Sequence, residues 1–113
     1  MALGTLRLAR QFDAADALVA AHESQITAEW KPAWDNEVAA LLWQRGRRDE
    51  AARLWATLPE SVPVLFNRGM AALFQDRPTE ARGYLKPAVA GIPESSAWHH
   101  LGRMYLALAE MRA

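Results

Sequence analysis

Residues 40–51 read ALLWQRGRRDEA and residues 70–81 read MAALFQDRPTEA, and this near-repetition decides the fold. Each stretch is an apolar segment, then a short polar turn, then an acidic residue followed by alanine. A third, shorter copy of the turn is QFDAA at residues 11–15. Because similar stretches recur along the chain, the sequence predicts a stack of similar helix-turn-helix units.

Composition and apolar spacing both favour helix throughout the chain. Ala, Leu, Arg and Glu dominate, whereas β-branched Val and Ile are few. Apolar residues such as Met70, Leu73 and Phe74 recur at threes and fours, and no long stretch alternates with period two. The helix boundaries are marked by prolines, which a first turn tolerates, by glycines, which suit a helix end, and by a serine cap at Ser95 or Ser96. The expected helices span about 2–10, 13–23, 32–45, 48–58, 63–75, 78–90 and 95–111.

Two places along the chain leave the helix pattern open. Residues 24–31 either extend the second helix or form a loop. Pro87 falls inside the sixth expected helix, so the sequence predicts a kink or an early end there, since proline lacks the amide hydrogen that the helix uses.

The spacing of small and large residues resembles the tetratricopeptide repeat family, whose helix-turn-helix unit is about 34 residues long. The last copy carries the pattern best, with Trp98, Leu101, Gly102 and Tyr105. The preceding copy supplies Leu65, Gly69, Ala81, Leu85, Ala88 and Pro93. Earlier copies are Val38, Ala39, Leu42, Gly46, Ala51 and Trp55, and before them Leu3, Leu6, Phe12, Asp13 and Ala15.

The resemblance implies an all-α fold, a right-handed superhelical array of antiparallel helix pairs with about seven helices. It implies one domain over residues 1–113, with units at about 1–31, 32–61, 62–94 and 95–113, the last incomplete. Small residues would let paired helices approach closely, and each unit would expose apolar surface that only its neighbour covers. The alternative is an unrelated helical bundle with chance glycine and alanine spacing.

The resemblance also implies a concave groove, lined by the first helix of each unit, that binds a protein or peptide partner. Carried onto this sequence, the groove residues are Asn36, Trp43, Phe66, Met70, Phe74, His99 and Arg103. The groove is thus apolar and aromatic, which suits a protein-binding hot spot. Arg103 and nearby Asn67 fall short of the lysines and asparagines with which some members grip acidic tails. The alternative is that another part of the chain fills the groove.

The tryptophans and the last helix suggest further contacts. Trp55 and Trp98 occupy core positions of the repeat, whereas Trp30, Trp34 and Trp43 are candidates for an interface. The last expected helix carries an apolar stripe of Leu101, Tyr105, Leu108 and Met111. Because repeat arrays usually end in a polar helix, the stripe predicts a homo-oligomer through this helix or a longer parent array. The alternative is that the stripe packs entirely inward.

Composition argues against several other functions. The chain is 51% hydrophobic and 23% charged, with 13 basic and 13 acidic residues and no cysteine. We expect no nucleic-acid partner, because the basic cluster at Arg45, Arg47 and Arg48 runs straight into acidic residues and suits a solvated turn better than a phosphate-binding patch. No apolar run reaches membrane-spanning length and charges interrupt the amino terminus, so a cytoplasmic protein without a membrane partner is expected.

Catalysis finds little support in the sequence. His99 and His100 are adjacent, so on one helix they point about 100° apart and do not form a metal clasp by themselves. No phosphate-binding glycine loop, HExxH or GxSxG motif occurs. We therefore expect no enzymatic activity, metal or cofactor, with a small-ligand site around His99, His100 and Arg103 as a third hypothesis.

Overall fold

The chain is described by a computed structural model that covers residues 2–113, without the side chains of Ala2, Thr5 and Leu6. The repeat position at Leu6 therefore lies outside the described residues. Residues 2–113 contain no strand, and the predicted all-α class is confirmed. The α-helices are α1 (Ala2–Leu8), α2 (Phe12–His22), α3 (Lys31–Gln44), α4 (Arg48–Thr57), α5 (Val62–Phe74), α6 (Pro78–Gly91) and α7 (Ala97–Arg112). None of these helices is long and apolar enough to cross a membrane.

Three turns between consecutive helices share one backbone form. Arg10, Gly46 and Asp76 each adopt a positive φ, of 59°, 86° and 60°. After α5, the amide of Arg77 donates to the carbonyl of Ala72 (2.8 Å), a bond that closes a helix with a left-handed residue. Each turn leads into the next helix, so α1 pairs with α2, α3 with α4, and α5 with α6.

Serine hydroxyls cap helices α5 and α7. Ser61 accepts the amide of Val64 (3.3 Å) at the start of α5, and Ser96 accepts the amide of Trp98 (3.2 Å) at the start of α7. An N-cap hydroxyl satisfies a helix amide that has no intrahelical partner. The predicted cap at Ser96 is confirmed.

Two boundaries differ from the simplest expectation. The sequence predicts a kink or an early end at Pro87, and the early end is wrong, because α6 continues through Pro87 to Gly91. Pro87 and Gly83, one turn earlier, both lie on the exposed side of α6, where water can reach the carbonyl that loses its amide donor. The uncertain stretch after α2 contains a short 3₁₀-helix, Glu23–Gln25, and then a turn before α3.

The chain divides into two compact units, Met1–Leu58 and Pro59–Ala113. In unit 1, the core is built from the buried side chains of Leu3, Ala15, Trp34 and Leu41 on α1, α2 and α3. Trp55 on α4 is also fully buried.

In unit 2, α5, α6 and α7 pack around a core of Ala72, Leu73, Ala81, Leu85 and Ala109. The side chains of Tyr105 and Leu106 pack against this core and are partly buried. Small residues on each of the three helices allow the close approach, so the alanines predicted by the repeat spacing at positions 81 and 88 are both fully buried.

Candidate protein-interaction surface

Asn36 and Trp43, two of the predicted groove residues, lie on α3 in unit 1. The indole N–H of buried Trp55 donates to Oδ1 of Asn36 (3.0 Å). The rings of Trp43 and Trp55 lie 5.9 Å apart, and the Arg48 guanidinium lies 4.8 Å from the Trp43 ring centre. A cation over an aromatic face is favourable, more so away from water. These side chains therefore join α3 to α4 as well as facing outward.

Four aromatic side chains form a continuous row between α5 and α7 in unit 2, which we call the aromatic row. It runs Trp98, Phe66, Tyr105, Phe74. Ring centres are 5.7 Å apart between Trp98 and Phe66, 5.9 Å between Phe66 and Tyr105, and 5.7 Å between Tyr105 and Phe74. The two end contacts are edge-to-face, at 87° and 85°, a favoured geometry for aromatic pairs. The row is a rigid apolar unit.

Only the ends of the aromatic row reach the solvent to a large extent. Phe66 in the middle is 6% exposed, whereas Phe74 and Trp98 are each 52% exposed. Partial burial raises the pKa of Tyr105, because an ionised phenolate is disfavoured away from water. One part of each end ring packs against its neighbour in the row, and about half of each ring is exposed to solvent.

The sequence prediction placed Phe66 and Phe74 in the groove and Trp98 in the core of the repeat. It placed Tyr105 both at a repeat position and in the apolar stripe of the last helix, whereas Tyr105 packs against α5. The structure joins all four, and it leaves Trp98 half exposed instead of in the core. Trp98 and Tyr105 are seven residues apart on α7, which puts them on the same side of the helix. This spacing is the sequence signal for the row, but it does not indicate that the two rings pack against α5.

The other predicted groove residues of unit 2 are Met70 on α5 and His99 and Arg103 on α7. Met70 is half-buried and Arg103 is exposed. His99 donates from Nδ1 to the carbonyl of Ile92 (2.9 Å), so its ring ties the start of α7 to the loop before it. The His99 and His100 rings stand 6.1 Å apart. Across the side chains that the structure describes, no three acidic, histidine or cysteine residues come close enough together to hold a metal.

Two tryptophans proposed for an interface differ in exposure. Trp30, just before α3, is largely exposed, whereas Trp34 lies within the core of unit 1. Among the described side chains, the buried indole nitrogen of Trp34 has no hydrogen-bond partner. Trp34 is thus a core residue with an unsatisfied donor, and the hypothesis that its ring lies at an interface with a partner is wrong.

Unit 1 contains an open cleft of about 480 Å³ between α2 and α3. Apolar side chains including Val19, Val38 and Leu41 line it, with charged residues around them. Arg45 lies 3.3 Å from Asp16 across this rim. The cleft could accept an apolar side chain. Sequence reasoning missed it, because it depends on how α2 packs against α3.

The three arginines of the basic cluster all have partners within unit 1. Arg45 pairs with Asp16, Arg47 makes two bonds to Glu50 (2.9 and 2.8 Å), and Arg48 lies over Trp43. Exposed ion pairs of this kind contribute little stability, but they reduce the positive charge available to a phosphate. The arrangement is that of a solvated turn.

No known protein family, curated protein or solved structure matches this chain.

Proposed function

We propose that this chain is a protein-interaction scaffold of the tetratricopeptide-like kind, and that it binds an apolar segment of a partner on the aromatic row. The observation that carries the proposal is the half-exposure of Phe74 and Trp98 at the two ends of a row whose centre is buried. Large exposed aromatic rings are unfavourable in water and are frequent anchors of protein interfaces.

The row is suited to binding because its rings are already ordered. A side chain that must be immobilised on binding costs about 0.5–1.5 kcal/mol of conformational entropy. The edge-to-face contacts of Phe74 with Tyr105, and of Trp98 with Phe66, fix these rings before a partner arrives. Half-buried Met70 adds adaptable apolar surface beside them.

The aromatic row presents apolar rings to a partner, whereas the exposed Arg103 lies on a different side of α7, roughly 150° around the helix from Trp98 and Tyr105. We therefore propose that apolar contact supplies most of the affinity.

The test is a substitution that changes the exposed end of the row without removing core volume. Phe74→Glu places a charge where a partner would bury the ring, whereas Leu8→Glu makes the same change at an exposed leucine on α1 in unit 1. We expect wild type and Leu8→Glu to capture the same proteins in affinity purification with mass spectrometry, and Phe74→Glu to lose at least one of them.

The thermal unfolding of Phe74→Glu must stay close to that of Leu8→Glu, so that a lost partner reports the surface and not the fold. Identical capture by wild type and both variants would refute binding at the aromatic row. Loss of the same partners in both variants would place binding elsewhere.

A further inference from the structure

The last helix of unit 2 carries a second apolar surface, which we call the α7 stripe: Leu101, Met104, Leu108 and Met111. The four residues are spaced three, four and three apart, so they follow one side of the helix. Met104 is 63% exposed, Leu108 45% and Met111 82%. Three of the large hydrophobic side chains that are strongly exposed among the described residues lie in this stripe.

The α7 stripe is distinct from the aromatic row and from the buried side of α7. Successive residues of an α-helix are about 100° apart around its axis. The middle of the stripe is then roughly 150° from Gly102, which packs on α5 and α6, and more than about 100° from Arg103. Trp98 and Tyr105 of the aromatic row flank the stripe, so a partner on the row would still leave Met104 and Met111, on the far edge of the stripe, uncovered.

We propose that the α7 stripe binds the same stripe of a second copy of this chain, with the two α7 helices antiparallel. The three–four–three spacing is that of the contact seam between two helices packed side by side, where leucine and methionine of one helix fit between those of the other. The stripe is centred near residue 106, so a two-fold axis at that level sets Leu101 of each copy against Met111 of the other.

The charges beside the stripe permit this pairing. The flanking positions are His100 and Ala107 on one side, and Trp98, Tyr105 and Arg112 on the other. Arg112 is the only flanking residue with a permanent charge, so two copies meet without a pair of like charges near the axis. A two-fold axis places the same flank of each copy on one side of the dimer, so Arg112 of one copy lies on the side of Trp98 and Tyr105 of the other.

Arg112 then favours the antiparallel arrangement. It lies six residues beyond the centre, level with residues 98–100 of the other copy, where half of the Trp98 ring is exposed. A guanidinium over an exposed tryptophan is favourable. Arg112 also lies 3.5 Å from Asp76, but both are well exposed and such a pair is weak, so changing partner costs little. The parallel arrangement would instead place two Arg112 side chains at the same end.

The small size of the surface favours a weak dimer. Two helices in contact over three turns bury roughly 500 Å² on each copy, less than the ~800 Å² per partner of a standard interface. We therefore expect a dimer that dissociates in the micromolar range and exchanges readily.

The first experiment measures mass against concentration by light scattering, from about 5 to 500 µM, a range that brackets a micromolar dissociation constant. For wild type, the average mass should rise from that of one chain to that of two. Met104→Glu combined with Met111→Glu should stay monomeric, and both sites are exposed enough to leave folding intact. Arg103→Glu is the control on the other side of α7 and should dimerise as wild type does.

The second experiment reports the direction of pairing, and it uses the absence of cysteine in this chain. Ala107→Cys places a thiol one residue from the axis on a flank of the stripe, so a short bis-maleimide cross-linker should join two copies quickly. Met111→Cys places its thiols about 15 Å apart along an antiparallel pair, so the same cross-linker should not join them. A wild type that stays monomeric at the highest concentration overturns the proposal. A cross-link at Met111→Cys with none at Ala107→Cys overturns the antiparallel arrangement.

Discussion

Helices α5 and α7 carry the same repeat pattern 33 residues apart, yet their glycines face different neighbours. A Cβ placed on Gly69 would collide with Leu85 and approach Ala81, both on α6, the helix that follows α5. A Cβ placed on Gly102 would meet Val89 and Phe66, on helices that precede α7. The glycine side of α5 therefore packs on α6, the next helix, whereas the glycine side of α7 packs on α5 and α6, the two helices before it.

This difference explains which surfaces are exposed. Because α7 uses its glycine side to pack on α5 and α6, the α7 stripe points into solvent and Trp98 remains half exposed. On α5, Ala71 is buried, while Met104, the residue 33 positions later, is 63% exposed. The same position in a repeat can thus be core or surface, depending on which neighbour the helix takes.

The largest effect is expected for Phe66→Ala, which tests the packing of α7 on α5 by removing the ring between them. Phe66 is almost fully buried and contacts Trp98 and Tyr105. Losing such a side chain costs about 3–4 kcal/mol, because transfer free energy is lost and a cavity remains. Urea denaturation should reveal this loss. Phe74→Ala, at the exposed end of the row, should lose less than about 1 kcal/mol, since little buried volume is removed.

Equal losses for Phe66→Ala and Phe74→Ala would contradict the burial difference between the two rings. The amide hydrogen exchange of α7 adds a local measurement. In Phe66→Ala it should increase more along α7 than along α6, because α7 depends on this ring.

Gly69→Ala should destabilise the fold next most. The new methyl group would lie 2.7 Å from Cδ2 of Leu85 and closer still to Cγ, and Leu85 is fully buried. Overpacking of this kind costs about 1–3 kcal/mol, and the better helix propensity of alanine returns about 1 kcal/mol. We expect a net loss of up to about 2 kcal/mol in urea denaturation. A gain in stability would mean that α6 does not approach α5 at Gly69.

Gly102→Ala should change stability less than Gly69→Ala, and this difference sharpens the comparison. Its methyl group would lie 3.0 Å from Cγ2 of Val89 and 3.2 Å from a Phe66 ring carbon, a tight fit that small shifts relieve. We expect a change within about 1 kcal/mol of wild type. Gly83→Ala is the matched control, since nothing lies within 4 Å of its Cβ, and it should stabilise by about 0.5–1 kcal/mol.

If Gly102→Ala stabilised the chain as much as Gly83→Ala, the close packing of α7 on α5 and α6 would be wrong. If it destabilised the chain as much as Gly69→Ala, the two glycines would be equivalent and the contrast between α5 and α7 would disappear.

The helices were largely predictable from the sequence, because their ends depend on local chemistry. Pro78 in a first turn, Gly46 in a left-handed turn and the Ser96 cap all act within a few residues of themselves. Pro87 was the exception, because a single missing hydrogen bond on an exposed side does not end a helix that is otherwise well packed.

The surface was less predictable, because exposure depends on which helix covers which. Trp34 and Trp55 illustrate this. Both are buried, but Trp55 donates to Asn36 across α3 and α4, while the N–H of Trp34 finds no acceptor. Nothing within a few residues of either one indicates the difference. For the same reason the sequence identified Phe66 and Phe74 by spacing but did not find that Tyr105 joins them.

The smallest expected effect is a fall in stability at high pH from Tyr105, which packs inward only because α7 turns its small side toward α5. Burial raises the pKa of this phenol, so the folded chain holds the proton more tightly than the unfolded chain. Below the unfolded pKa of about 10 both states are protonated and stability is unaffected. As pH rises from there through the folded pKa, the unfolded chain ionises first and is favoured, so the free energy of unfolding falls. Urea denaturation between about pH 8 and 11 should reveal this fall in wild type and a smaller one in Tyr105→Phe. Tyr84 is present in both proteins, so its contribution cancels in the difference. Equal falls in the two proteins would place the Tyr105 phenol in solvent and α7 in a different orientation.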